Sequence, residues 1–433
     1  MRQLLRVARS ERQSARDVVQ SLRGFRSFAY VPFIIVLAVL APIAWPAEGS
    51  SDVFWFWYAG RLVLTGASPY DQPAWERAAE YGPIAHNVVD SCVGAPEGAL
   101  CLWLYPPHTA MLFAPFGLLE VHAGVLLLAI CFVLAAVVGV VWLVQWAGPR
   151  SEATRALALC ACAVAHPFVF DIRGGHFEGL GLIGILSVAT GLRAGRTLPV
   201  VAGALLLSLK PHLFLVVAAL TVVVLVRQRR RRTLAVTALA LVGVVGAAFL
   251  RYPDAIPAIL GSGAKTAVGW ASTWSFSATL FADRAPVGFV VVFGCAALAF
   301  LVAVRFRPRD RGTDALIAAC TALSLMLVPY LHPYDLMLTL PAFVLSLTLA
   351  ERLDDWRRGA LMSVTVLALS AGSWAAIVAS TQQTTVQGIP GAMPLVALAL
   401  LAIVSLTIRA RPSRARVVVV PTLTSGQYPA GPT

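Results

Sequence analysis

Charge is what this sequence has little of. Asp, Glu, Lys and Arg make up 13% of 433 residues, apolar residues make up 58%, and the mean hydropathy is +0.78. So small a charged share excludes an ordinary soluble domain and marks a polytopic membrane protein. Acidic residues are the scarcer sign, 21 against 34 basic, for a net charge of +13. Nucleic acid is not needed as a partner, because the arginines fall in short clusters between apolar runs, as cytoplasmic loops do. Cysteine is sparse too. The seven cysteines include no C-x-x-C pair and no metal-ligand spacing, which removes those zinc and redox motifs. Cys131, Cys160, Cys162, Cys295 and Cys320 fall in apolar runs and read as small core residues. Cys92 and Cys101 share one polar loop and are a disulfide candidate if that loop faces an oxidising compartment. A Gly-rich phosphate loop is also missing.

The basic clusters set a topology. Residues 1–28 form an Arg-rich segment that reads as lying on the cytoplasmic membrane surface. A first, uncleaved span over Tyr30–Trp45 leads into a long loop, 46–102, with short helices expected after Asp52 and around Pro73–Tyr81. From Trp103 to Trp146 the chain is apolar but broken by Pro106, Pro107, Pro115 and Gly117. Arg150 and Arg155 follow, so only one net crossing fits there. Further spans are expected near 156–170, 176–192, 233–250, 286–304, 314–331, 333–350, 360–380 and 391–408.

The run Leu198–Val226 has Arg193 and Arg196 before it and Arg227, Arg229, Arg230, Arg231 and Arg232 after it, so an even number of crossings is required. Lys210-Pro211-His212 interrupts it, and proline disfavours helix in the residue before it. Two half-helices with Lys210 and His212 at their tip are therefore expected. The sum is about twelve spans with both termini cytoplasmic. It gives one transmembrane domain over 29–409 and a disordered tail over 410–433.

This topology collects on one outer face most of the ionisable residues at span ends: Asp52, the loop Asp171-Ile172-Arg173-Gly174-Gly175-His176-Phe177-Glu178, Lys210, His212, Lys265, and His332-Pro333-Tyr334-Asp335. Carboxylates, imidazoles and cations on one face suit an enzyme handling an anionic, sugar-bearing lipid. Plainer readings stand beside this one. Asp52 precedes an apolar run, as an N-cap does; Lys210 is placed to snorkel from a hairpin tip; Arg173 and Glu178 are spaced to pair with each other. The same face has no D-x-D, so no metal is expected, and no cofactor either.

Several segments together resemble glycosyltransferase family 87. They are an Asp after the first span, the AG-x7-G-x-SPYD segment Ala59–Asp71, Tyr105-Pro106-Pro107 with its apolar run to Pro115, the AG-x6-LKP segment Ala202–Pro211, and Pro329-Tyr330 with Tyr334-Asp335-Leu336. The resemblance implies an all-α polytopic GT-C fold with its active site outside the cytoplasm. It implies a sugar donor linked to polyprenyl phosphate, as in the mannosyltransferases of phosphatidylinositol mannoside synthesis, and a glycolipid or polysaccharide acceptor. In that family the Asp of the first outer loop is the proposed base, here Asp52, and a His of a late outer loop is associated with the donor phosphate, here His332. Lys210, Arg173, His176, Asp335, His212 and Tyr105 complete the candidate donor-phosphate and substrate site. The chain departs from the family pattern at Gly175-His176, where the family commonly shows Gly-Gln, and donor and acceptor identity stay open. Arabinose or glucose as donor sugar, a lipid-linked sugar transporter or flippase, and a structural partner in an envelope complex are the alternatives. The transporter should show internal repeats, and none is found.

Overall fold

A computed structural model describes residues 28–46, 52–86, 103, 105–263, 272–281, 284–382 and 389–410. Nearly all of the basic segment, Cys92, Cys101, Lys265 and the tail beyond residue 410 lie outside the described residues. Among the described residues the chain is helical, without strands. Five helices among the described residues are long and apolar enough to cross a membrane: Val121–Ala147, Arg231–Arg251, Pro286–Arg305, Asp355–Ala376 and Ile389–Arg409. A sixth follows if Glu152–Val164 and His166–Gly174, bent by 50°, count as one. The charge pattern asks for about twelve spans. The described residues also hold apolar helices of 10–17 residues, such as Thr197–Leu207 and Pro211–Arg227, which are too short to qualify singly.

The breaks have local causes. Pro167 opens the helix His166–Gly174, and the groups freed at the bend find partners across the bundle. The Trp374 indole N–H donates to the Val164 carbonyl at 2.7 Å, and Ser373 Oγ accepts the His166 N–H at 3.0 Å. Before Pro211, Lys210 takes a non-helical backbone (φ −134°, ψ 68°), as a residue preceding proline must. The two half-helices expected around Lys210 are thus present. Proline-broken Trp103–Trp146 resolves into an 11-residue helix, Pro107–Gly117, and the 27-residue helix Val121–Ala147.

Three helices define two ends of the bundle. Glu178–Ala194 runs from Glu178, which pairs with Lys210, to Arg193, which pairs with the buried Asp314. Gly312–Leu327 starts at Asp314 and leads to the loop carrying His332, and the segment Asp335–Ala350 returns from that loop to Glu351. At this second end Arg352 forks onto Asp310 at 2.9 and 2.7 Å, and Glu351 accepts the backbone N–H groups of Arg150 and Ser151. The Arg352 hydrogen bonds hold the Asp310 carboxyl below its usual range. A 17-residue helix is roughly 25 Å long, so a lattice rich in arginine and a cluster of buried ions sit about a membrane's apolar thickness apart.

Two glycines let backbones touch. A Cβ at Gly60 would run into the Phe113 carbonyl, and one at Gly203 would meet the Gly184 carbonyl at 2.6 Å. These are the glycines of the two AG segments, and their physical role is helix crossing. Cys162 and Cys320 are buried as expected; Cys295 is exposed on the apolar helix Ala285–Arg305.

Candidate active site

Asp52 occupies the position before the helix Val53–Leu64, yet its side chain makes no capping hydrogen bond. The capping reading is therefore not what the structure shows. Its backbone N–H donates to the Gly174 carbonyl at 2.7 Å, and its carboxylate Oδ2 lies 3.3 Å from His176 Nε2. The Asp52 side chain is 35% exposed and that of His176 only 3%, so a reachable carboxylate rests on a fixed imidazole.

The Gly174-Gly175-His176 sequence accounts for that placement. Gly175 ends the helix His166–Gly174 in the left-handed region (φ 68°), where glycine carries no Cβ penalty. The chain turns there, the His176 N–H returns to the Asp171 carbonyl at 2.9 Å, and the imidazole faces inward. The same turn separates Arg173 from Glu178. Arg173 stays exposed with no ion pair among the described residues, while Glu178 is buried and meets Lys210 instead.

Burial, reinforced by Lys210 and His332, keeps the His176 pKa well below its ordinary value of 6.5. The neutral imidazole keeps Nε2 beside the Asp52 carboxylate. The sign of the pH effect follows. The unfolded chain would bind a proton below about pH 6.5 and the folded one resists it, so stability is full above that value and falls on acidification. The slope approaches about 1.4 kcal/mol per pH unit. Melting in detergent between pH 7 and pH 5 should show this loss in the wild type and a smaller one in His176→Gln.

The Tyr334 ring joins Asp52's partner to the late loop. It stacks with His176 (centroids 3.4 Å apart) and with His332 (4.9 Å). His332 Nε2 contacts the Tyr330 hydroxyl at 2.6 Å, and the His332 backbone N–H donates to Asp335 Oδ2 at 2.8 Å. Burial lowers the pKa of His332 as well. Asp335 Oδ1 accepts from Lys210 Nζ at 3.1 Å, and Glu178 Oε1 also pairs with that ammonium. Lys210 does not snorkel outward: it is 5% exposed and enclosed by the rings of Tyr105, Phe177 and Tyr334, each within 5.3 Å. His212, two residues on, is exposed, within electrostatic reach of Asp335, Lys210 and His332.

The early segments serve as walls. The Tyr70 hydroxyl of the SPYD turn donates to the Tyr105 carbonyl at 2.5 Å, His108 Nε2 contacts Ser208 Oγ at 3.0 Å, and Thr109 Oγ1 donates to the Leu209 carbonyl at 3.3 Å. Eight candidates from the sequence thus divide into a joined set (Asp52, His176, Tyr105, Lys210, His332 and Asp335) and two exposed neighbours, Arg173 and His212. Glu178 and Tyr334 are the residues that the structure adds to this set. Alternation of Tyr330, His332 and Tyr334 at two-residue spacing was the available signal for the second. Among the described residues no group of His, Cys, Asp and Glu is arranged to hold a metal ion.

Comparison with curated proteins and with solved structures gives no match. The model of glycosyltransferase family 87 matches residues 103–329, just over half of the chain. That stretch holds Tyr105, Asp171, His176, Glu178 and Lys210; Asp52 and the His332–Asp335 loop flank it on either side. The chain belongs to glycosyltransferase family 87 and is a membrane glycosyltransferase.

Proposed function

We propose that this enzyme transfers a sugar, with mannose the favoured one, from a polyprenyl-phosphate donor to a glycolipid or polysaccharide of the cell envelope, with inversion. The observation that carries the reading is the half-exposed Asp52 carboxylate, held by a buried imidazole and linked through Tyr334 to His332. In this mechanism the acceptor hydroxyl oxygen attacks the anomeric carbon as Asp52 takes its proton. The bond from that carbon to the phosphate oxygen breaks in the same step, and polyprenyl phosphate leaves with the electron pair. A placed carboxylate of this kind is worth roughly 10²- to 10⁴-fold. Polar groups at the developing phosphate charge supply the rest: His332 beside Tyr330, with the exposed Arg173 and His212 at the mouth. Lys210 and Asp335 lie behind them, and Tyr105 forms part of the wall.

The accompanying architecture is a GT-C fold of about twelve spans over residues 29–409. The basic segment 1–28 and the tail 410–433 are cytoplasmic, and the site faces the other side of the membrane. The separation of the arginine-rich end from the ion cluster supports this orientation, because cytoplasmic loops concentrate arginine. A Cys92–Cys101 disulfide in the long outer loop belongs to the same proposal.

The test is transfer of labelled sugar from a polyprenyl-phosphate donor in reconstituted vesicles, with the anomer of the product read by NMR. An inverted anomer and a rate unchanged by EDTA are expected. Retention of configuration, or loss of activity with EDTA, would contradict the mechanism.

A further inference from the structure

The Lys210 ammonium is the natural candidate for the donor phosphate, yet its surroundings leave it little to give. It is met by Glu178 and by Asp335, and three aromatic rings close around it. A buried ammonium already paired in this way has exchanged its hydration for protein contacts, and opening it to a ligand would strip both carboxylates of their cation. The half-buried group nearest the site in this network is His332. Asp335 uses its two oxygens separately: Oδ1 receives Lys210 at 3.1 Å and Oδ2 receives the backbone N–H of His332 at 2.8 Å. The chain segment from residue 328 to 334 has no regular helix of its own; that side-chain bond joins it to the following turn beside backbone bonds to the carbonyls of His332, Pro333 and Tyr334, and it is the one that secures the His332 N–H.

We infer that Lys210 is a positioning residue, which acts through Asp335 to fix His332 where the donor phosphate is received. The inference rests on the proposed function for the role of His332, but not for the mechanical link. One ammonium gathers three segments distant in sequence: the start of Glu178–Ala194, the break before Pro211, and the His332 loop. Geometry of this kind must be held to within a fraction of an ångström for a phosphate contact to count in the transition state.

The test uses the full chain in lipid nanodiscs and two variants, Lys210→Met and Asp335→Ala; the second serves if the first fails to fold. Amide exchange over residues 330–335 should accelerate on the order of tenfold in either variant, while amides of Val121–Ala147 keep their wild-type protection. The KM for a polyprenyl-phosphate sugar should rise on the order of tenfold, with the acceptor KM unmoved; a general loss of folded protein would not produce that split. Unchanged exchange over 330–335 in a folded variant overturns the inference, as does faster exchange with an unmoved donor KM. Exchange is read without substrate. A wild type that does not use lipid-phosphate sugars would therefore strike the functional reading, while exchange still decides the link from Lys210 to His332.

Discussion

Asp52→Asn should lower transfer by roughly 10²- to 10⁴-fold while the protein remains folded. Asparagine keeps the shape of the side chain and an oxygen able to accept from His176 Nε2, now 3.3 Å from the carboxylate, but it cannot take a proton from an acceptor hydroxyl. Because Asp52 does not cap its helix, the substitution removes no capping bond. Melting temperature should stay near the wild-type value, and the loss should appear in kcat rather than in the KM for either substrate. Asp52→Glu moves the carboxylate by one methylene and should recover part of the rate at best, since a misplacement of about 1 Å costs on the order of 10²-fold. Full activity in Asp52→Asn would mean that the carboxylate is scenery.

Gly60→Val should be the most damaging apolar substitution in the same helix. Here the effect is on folding. The first atom of any side chain at residue 60 meets the Phe113 carbonyl, and the return contact, Gly117 against the Arg61 backbone, is as close. The crossing of Val53–Leu64 with Pro107–Gly117 is further tied by Trp57 Nε1 donating to the Phe116 carbonyl and Arg61 to that of Gly117, both at 3.0 Å. Forcing these helices apart costs about 1–3 kcal/mol or more, as overpacking does. It would also shift Asp52 at the head of the helix. Thermal melts and size-exclusion profiles in detergent should show a lower melting temperature and less monodisperse protein. A Gly60→Val protein as stable as wild type would show that the two helices do not cross here.

Much of the site was legible because ions at span ends are costly and therefore few. Asp52, the Lys210-Pro211 break and the His332–Asp335 group stand out on that ground alone. The pairing was not legible. Local spacing offers Glu178 to Arg173, but a left-handed glycine at 175 turns the chain between them, and Glu178 takes a lysine 32 residues away. Lys210 to Asp335 spans 125 residues, a distance no periodicity reports. Tyr334 was likewise visible as a motif residue, but its contact with His176 depends on how two loops meet. The number of spans is a limit of another kind. Arginine clusters count crossings by parity, whereas length and composition among the described residues give five or six, with further apolar helices short and the chain broken before Pro167 and Pro211.

The central claim is that Asp52 serves as base in a transfer from a lipid-phosphate sugar. The most direct measurement is transfer of labelled mannose to membrane glycolipid in proteoliposomes carrying equal folded amounts of wild type or Asp52→Asn, with the label supplied as polyprenyl-phosphate mannose or as a nucleotide sugar. The account predicts product from the lipid phosphate alone, and only with the wild type. Product from the nucleotide sugar, or equal product from the two proteins, would contradict it.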